Sequence, residues 1–99
     1  MKTDIANVLL LKGGLEIYEV DRLRQALTEH LSAQASPVID LRDVTGCDTA
    51  GAQLLCAAAR TAAGLNRPLR FINTPPQVAA AWTALGLDPA WLADPSRAV

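Results

Sequence analysis

Short apolar runs alternate with helical stripes along this chain, and that alternation limits the folds it can adopt. Each run is rich in valine, leucine or isoleucine and ends at glycine, proline or a polar residue. Between the runs, apolar residues recur at steps of three and four, the spacing of one helix face. Strands that alternate with helices form parallel pairs joined by right-handed crossovers. The predicted strands are 7–12, 15–17, 37–41 and 68–73, and the predicted helices begin near residues 19, 49 and 74.

The first two runs are separated by Gly13 and Gly14. Glycine adopts positive φ readily, so a Gly-Gly pair favours a tight turn between two strands. We therefore predict a hairpin over residues 7–17. The predicted fold is α/β, in the order ββαβαβα, with a mixed, mostly parallel sheet and packed helices.

Three helices are predicted from their apolar stripes. Charged residues separate the members of the first stripe, and alanines in the second helix allow it to approach the sheet closely. The stripes are Val20, Leu23, Leu27 and Leu31 in the first helix, Leu54, Leu55, Ala58, Ala62 and Leu65 in the second, and Val78, Ala81, Trp82 and Leu85 in the third.

The third helix carries signals at both ends. Thr74 and Gln77 match a capping box, with Pro75 at the first helical position. Gly86 predicts its C-terminal end. Beyond it, Trp91 and Leu92 are predicted to fold back onto the body of the protein.

Composition and charge narrow the class of protein. The chain has 99 residues, 51% hydrophobic and 19% charged, which is enough for one domain with its own core. We predict a single domain over 1–99, with its core over about 7–92. The formal net charge is −1, and the nine lysines and arginines are scattered. Without a concentrated basic surface, this pattern argues against a nucleic acid partner.

Cys47 and Cys56 form no C-x-x-C pair, and His30 is distant from both, so we expect neither a metal site nor another cofactor. No run reaches the length of a membrane span and no secretory signal is visible, so we expect a cytoplasmic protein without membrane insertion. No arrangement resembles a catalytic triad, which argues against an enzyme. Cys47 is interpreted as a small apolar residue beneath a loop.

A loop is predicted over residues 42–47, and Asp48 and Thr49 lie where that loop becomes the second helix. The first amides of a helix lack internal partners, and a side-chain oxygen that caps them stabilises the helix by about 1 kcal/mol. A phosphate on Thr49 would also be favoured by the positive helix end. The small residues Ala50, Gly51 and Ala52 either leave room for another protein or let the first turn pack against the sheet. Both alternatives stay open.

A phosphate on Thr49 would change the net charge from −1 to roughly −3. If a partner covers that point, the phosphate must lose water beside Asp48. Desolvation and like-charge repulsion each cost a few kcal/mol, and about 1.4 kcal/mol is tenfold in affinity. One phosphoryl group would then release a partner while the domain stays folded.

The segment "VIDLRDVTGCDTAGAQLL" resembles the signature of STAS domains, the family of sulfate-transporter tails and anti-sigma factor antagonists. That signature is a strand ending in Asp-Leu, a short loop, and Asp-Ser/Thr-x-Gly opening a helix. The segments "LLLKGGLEIYEVDRLRQAL" and "LRFINTPPQVAAAWTALGLD" resemble the first hairpin and helix and the last strand and helix of the family. The residues in register with the signature are Asp40, Leu41, Val44, Asp48, Thr49 and Gly51.

The resemblance implies a cytoplasmic, non-catalytic module for signal transduction in transcription regulation. In anti-sigma factor antagonists, the hydroxyl residue after the aspartate is phosphorylated by a partner that is both serine/threonine kinase and anti-sigma factor. The unmodified form binds that partner, and a phosphatase resets the cycle. By resemblance, Thr49 is the phosphorylation site. The implied partner surface consists of Glu16, Tyr18, Gly46, Asp48, Thr49, Ala50, Gly51 and Gln53.

The sequence departs from that pattern around Thr49. Ala50 and Ala52 stand where the family often has a second serine and a leucine, and threonine replaces the commoner serine. STAS subunits of a bacterial phospholipid-transport ABC complex also carry threonine here, and they bind the ATPase subunit. Short stand-alone STAS proteins associated with chemotaxis are similar as well. The resemblance thus leaves a phosphorylation-switched module and a constitutive accessory subunit as alternatives.

Overall fold

Strands and helices alternate along the part of the chain that the computed structural model describes, which is residues 7–67, 69–88 and 92. The sheet has the order β1-β2-β3 within these residues, and both neighbouring pairs are parallel. The predicted α/β class is confirmed. The elements are β1 (Val8–Leu15), a 3-10 turn (Ile17–Glu19), α1 (Val20–Ala33), β2 (Val38–Cys47), α2 (Thr49–Gly64), β3 (Arg70–Ile72) and α3 (Pro76–Ala84).

The predicted hairpin at Gly13 and Gly14 is wrong, because β1 continues through both glycines to Leu15. Gly13 does have positive φ, at +81°, but it lies within β1 and does not start a turn. Gly13 pairs with Val44, and the register shifts by one residue before Gly14 pairs with Gly46. Glycine therefore supplies an irregularity in a parallel ladder. The described ranges contain no antiparallel pair.

The predicted loop at 42–47 is also wrong, because β2 extends to Cys47. Val44 is buried in the core and fixes this second half of the strand. From the pair Leu10–Asp40 to the pair Leu15–Cys47, β1 advances five residues and β2 advances seven. The two extra residues of β2 fall at the register shifts. Only Asp48 therefore separates the end of β2 from the start of α2.

Eight of the seventeen residues of the described core come from the predicted apolar stripes. In α1, Leu23, Leu27 and Leu31 are buried, as predicted. In α2, the buried stripe includes Leu55, Ala58 and Ala62, whereas Leu65 lies outside the core and is 48% exposed. Leu65 follows the last turn of α2, where the helical spacing no longer applies.

The third helix covers the sheet beside β3. Trp82 is buried, as predicted, and packs edge-to-face on Phe71 with the ring centroids 6.4 Å apart. Its indole Nε1 donates to the Asp88 carbonyl oxygen at 2.8 Å. Gly86 has φ +79° directly after the helix, as expected of a C-terminal glycine. The predicted position of Trp91 falls outside the described residues, whereas Leu92 is buried in the core, as predicted.

The capping box predicted for Thr74 and Gln77 is wrong. Pro75 occupies the N-cap position and makes no side-chain cap hydrogen bond, and Pro76 is the first helical residue. Gln77 instead donates from Nε2 to the Val44 carbonyl oxygen at 3.2 Å. This hydrogen bond connects α3 to the part of β2 that was predicted to be a loop.

Asp40 is the buried charged residue of the sheet, and three donors satisfy its carboxylate. Oδ1 accepts from the Arg42 amide at 3.0 Å and from Asn73 Nδ2 at 3.2 Å. Oδ2 lies 3.3 Å from Arg42 Nε. A buried carboxylate persists only with such partners, so this network fixes how β2 meets the end of β3.

The first turn of α2 lies directly against the end of β1. Gly51 is buried there, and a β carbon at this position would lie 2.7 Å from the Leu15 carbonyl carbon and 2.8 Å from its Cβ. The neighbouring Ala52 is fully buried. Of the two interpretations of these small residues, close packing applies to Gly51 and Ala52.

We expect Gly51→Ala to lower the free energy of unfolding by at least about 2 kcal/mol, because the backbone of β1 would have to move. Gly64 in the same helix has no atom within 4 Å of the equivalent position. The control Gly64→Ala should therefore raise stability by about 0.5 kcal/mol through helix propensity. Urea unfolding followed by circular dichroism measures both changes. A Gly51→Ala protein as stable as the wild type would refute the close approach.

Candidate functional site

The C-terminal ends of β1 and β2 bring the 3-10 turn and the start of α2 together. Leu15 and Cys47 are the last paired residues of the two strands. One residue later, the Asp48 amide donates to the Leu15 carbonyl oxygen at 3.1 Å. Glu16 and Asp48 therefore leave the sheet side by side, at the edge where α/β sheets commonly bind their ligands.

Asp48 is the N-cap of α2 and also holds the 3-10 turn. Its backbone is extended, and Oδ1 accepts from the Gly51 amide at 2.9 Å. Its other oxygen, Oδ2, accepts from the Ile17 amide at 3.1 Å. The Gly51 hydrogen bond holds the pKa of Asp48 below its ordinary value, and the Ile17 hydrogen bond acts in the same direction. One carboxylate thus ties two segments that lie far apart in sequence.

Thr49 is the first residue of α2, and it is exposed. Its hydroxyl makes no hydrogen bond to any part of the chain that the structure describes. Asp48 supplies the cap, so Thr49 is not needed for it. The sequence could not assign the cap to one of the two residues, and the geometry does.

Glu16 lies over the glycines at the ends of the two strands. A β carbon on Gly46 would lie 3.2 Å from Glu16 Oε2, and one on Gly14 would lie 2.8 Å from Oε1. Glu16 is exposed and forms no ion pair with any residue in 7–67, 69–88 or 92. Together with Asp48, it makes this end of the molecule negative around the Thr49 side chain.

Two exposed apolar side chains border the same place. Ile17 is 63% exposed and Tyr18 is 93% exposed. Beside them runs an open groove of about 450 Å³, whose walls also include Val20, Ala50 and Leu54. Sequence reasoning missed Ile17, Val20 and Leu54 as surface residues of the site. No local signal marked them, because Ile17 fell in the predicted strand 15–17, and Val20 and Leu54 fell in predicted helical stripes.

The predicted surface residues divide by exposure. Glu16, Tyr18, Thr49 and Gln53 are exposed, and Asp48, Ala50 and Gly46 are half-buried. Gly51 is buried against Leu15 and has a packing role. The contact of these residues with a partner stays a prediction.

Arg67 and Arg70 lie at the opposite end of the sheet. Arg67 donates from Nη1 to the carbonyl oxygens of Leu31 and Gln34, where α1 ends. Arg70 pairs with Val38, the first residue of β2. Neither arginine can therefore neutralise the carboxylates beside Thr49.

Cys47 ends β2 directly before Asp48. Burial raises the pKa of its thiol to about 11, and the negative charges of Asp48 and Glu16 act in the same direction. The thiolate is the nucleophile in cysteine chemistry, so this environment suppresses reactivity at neutral pH.

Within the described ranges, no group of three or more His, Cys, Asp or Glu could hold a metal ion. None of the helices described there has the length and apolar character needed to cross a membrane.

Comparisons with known proteins give a family and a fold. The family model STAS_2, described as "Mlab, STAS domain", matches residues 1–93. A solved structure of the anti-sigma factor antagonist SpoIIAA in its unphosphorylated form superposes with a TM-score of 0.68 at 20% sequence identity. The match covers 86% of this chain and 75% of that chain. At this identity, the likeness concerns the fold. No curated protein matches the sequence.

We expect Asp48→Ala to lower the free energy of unfolding by about 1–2 kcal/mol, because the Gly51 and Ile17 amides lose their acceptor. Thr49→Ala is the matched control and should change stability by less than about 0.5 kcal/mol. Urea unfolding at pH 7 measures both. A larger loss for Thr49→Ala than for Asp48→Ala would contradict the assigned cap.

The same pair of proteins should show a defined pH dependence. The folded-state pKa of Asp48 lies below the ordinary value of 3.8. Its charge-dependent contribution is therefore complete above that value and is lost as the pH falls through the folded-state pKa. The difference in stability between wild type and Asp48→Ala should shrink below about pH 4. A difference that grows on acidification would be inconsistent with this assignment.

Proposed function

This chain belongs to the STAS_2 family of STAS domains, and from that premise we propose that it is a non-catalytic protein-binding module. Its docking face is the end of the sheet formed by Glu16, Tyr18, Asp48, Thr49 and the start of α2. Phosphorylation of Thr49 switches the binding. The module acts in the cytoplasm, and its free cysteines, Cys47 and Cys56, suit a reducing compartment.

The observation that carries the proposal is the separation of two roles between adjacent residues. Asp48 makes the cap and tethers the 3-10 turn. Thr49, the next residue, is exposed, and its hydroxyl has no hydrogen bond among the described residues. A hydroxyl at this position can be modified without the loss of a structural hydrogen bond.

Two amides of the first turn of α2 are already occupied, which changes what a phosphate would meet. The Gly51 amide donates to Asp48 Oδ1, and the Ala52 amide donates to the Asp48 carbonyl oxygen at 3.0 Å. Because Thr49 is exposed, a phosphate on it would lie in water, beside the carboxylates of Asp48 and Glu16. In the free protein this is tolerated, because water solvates all three groups.

A partner that covers Thr49 removes that water. A dianion left without donors under an interface costs several kcal/mol, and about 1.4 kcal/mol is tenfold in affinity. The phosphate also adds bulk next to Ala50, on the wall of the groove. Desolvation and bulk together would release the partner.

The partner that suits this mechanism is a serine/threonine kinase that is also an anti-sigma factor, with a phosphatase that restores the free hydroxyl. The likeness in fold to SpoIIAA supports this choice. The module itself contributes an acceptor hydroxyl and a binding surface, and the chemistry of transfer lies in the partner's active site.

A second candidate function follows from the residues around the acceptor. STAS subunits of phospholipid-transport ABC complexes also carry threonine where this chain has Thr49, whereas serine is commoner in the antagonists. In this alternative, the same face binds the transporter's ATPase subunit constitutively. A role beside chemotaxis proteins would use the same face again.

The switch is tested by offering candidate kinases from the same genome, together with ATP, to the purified protein. We expect the mass of one phosphoryl group to appear by intact mass spectrometry, and Thr49→Ala to abolish it. For a kinase or ATPase subunit that binds the unmodified protein, Thr49→Glu should weaken binding at least about tenfold, and the uncharged Thr49→Gln should weaken it less. Binding that Thr49→Glu leaves unchanged would refute the switch and favour the constitutive subunit.

A further inference from the structure

The groove beside Thr49 continues along the seam between α1 and α2. Its upper part is lined by Tyr18, Val20, Ala50 and Leu54. A second depression of about 140 Å³ shares Leu54 and extends to Thr61. The two depressions meet at Leu54 and are hereafter together called the seam groove, whose upper end lies at the docking face.

The seam groove has the dimensions and lining of a helix-binding site. Along α2 its wall is formed at helical spacing by Ala50, Leu54, Ala57 and Thr61. From residue 50 to residue 61 a helix rises about 16 Å, close to three turns. Small side chains on this wall allow close approach of another backbone. Grooves of this kind bind the apolar face of an amphipathic helix.

The upper end of the seam groove offers an apolar anchor. Tyr18 is 93% exposed, and its hydroxyl has no hydrogen bond within the described ranges. Ile17 beside it is 63% exposed. An exposed tyrosine bordering an apolar groove is a common hot spot of protein interfaces. Exposed large apolar side chains elsewhere in the described chain are limited to Leu65.

The charges near the upper end of the seam groove determine which charged side chain a partner must carry there. Asp21 and Arg24, which line the seam groove, neutralise each other in an ion pair of 2.8 Å, and Arg22 pairs with Glu19 at the same distance. Glu16 and Asp48 have no such cation among the residues that the structure describes. A complementary partner therefore supplies a lysine or arginine over Glu16. A second copy of this chain would instead bring its own Glu16 and Asp48 to the same face.

We propose that the seam groove binds a basic amphipathic helix of a partner protein, with apolar side chains against Tyr18 and Leu54 and a cationic side chain over Glu16. This rests on the proposed function, because it specifies the partner class for the same docking face. A single cationic side chain that pairs with Glu16 would not neutralise a phosphate on Thr49. Binding of the helix is therefore compatible with release of the partner by phosphorylation. Their tests are independent, because the helix is tested on the unmodified protein.

The probe is a synthetic helical peptide of about 18 residues, with leucines on one face and lysines on the other, compared with a counterpart in which glutamate replaces lysine. Each is titrated into the isotope-labelled full chain and followed by amide chemical shifts. We expect saturable changes at Ile17, Tyr18 and Leu54 with the lysine peptide, and at least about tenfold weaker binding of the glutamate peptide.

Two pairs of variants separate this groove from general attraction to an acidic protein. Tyr18→Ala should weaken the lysine peptide at least about tenfold, whereas Leu65→Ala, which removes an exposed apolar side chain elsewhere, should not. Glu16→Gln should weaken it about two- to fivefold, and the control Glu29→Gln, on the exposed face of α1, should not.

Several results would overturn the proposal. These are equal binding of both peptides, changes centred away from the seam groove, equal effects of a variant and its control, or no saturable binding. Shifts at Tyr18 and Leu54 that depend on protein concentration without peptide would instead identify a second copy as the occupant. In each of these cases the Thr49 switch keeps its own test, because Thr49→Glu is measured against a kinase or ATPase subunit.

Discussion

The Asp48 carboxylate accepts one amide from the first turn of α2 and one from the 3-10 turn after β1. Through these two hydrogen bonds, a single side chain fixes the start of a helix and the segment that leaves the neighbouring strand. The strands deliver both segments to the same edge, since Leu15 pairs with Cys47. The positions of Tyr18 and Thr49 relative to each other depend on this junction. The Asp48 carboxylate therefore holds together a proposed functional surface whose residues lie some thirty positions apart in sequence.

The junction also explains the composition around it. Gly51 permits the helix to touch β1, and Gly46 leaves space beneath the Glu16 carboxylate. Cys47 is kept as a thiol by burial and by the two neighbouring carboxylates. The groups that remain available at this end are the Thr49 hydroxyl, the Tyr18 side chain and Glu16. Such a set suits recognition by another protein, and the proposed function uses each member.

Much of the fold could be predicted from the sequence, because helical stripes such as Leu23–Leu27–Leu31 report the buried face of a helix directly. The two errors in the sheet have one cause. A Gly-Gly pair permits a turn but does not require one, and here the long parallel pairing with β2 outweighs the local preference at Gly13. The same pairing converts residues 42–47 from a predicted loop into strand. Long-range pairing of this kind leaves no local signal, and neither does the contact of Gln77 with Val44 that replaces the expected capping box.

The site was predicted in part. A motif marks Asp48 and Thr49, but the sequence does not show which side chain turns inward. Ile17 and Leu54 were missed because their exposure depends on how α1 and α2 meet. The placement of Asp48 in the cap, with Thr49 left exposed, required the three-dimensional arrangement. The extent of the domain, 1–99 with a core over about 7–92, stays a prediction.

The central claim is that negative charge on Thr49 acts on association and leaves the fold intact. Its most direct test is the free energy of unfolding of the protein carrying phosphothreonine at position 49, incorporated during synthesis and compared with the unmodified chain in urea. The account predicts a difference of less than about 1 kcal/mol, because the modified hydroxyl makes no structural hydrogen bond and the phosphate stays in water. A loss of several kcal/mol would show that the modification breaks the Asp48 junction, and would contradict the claim.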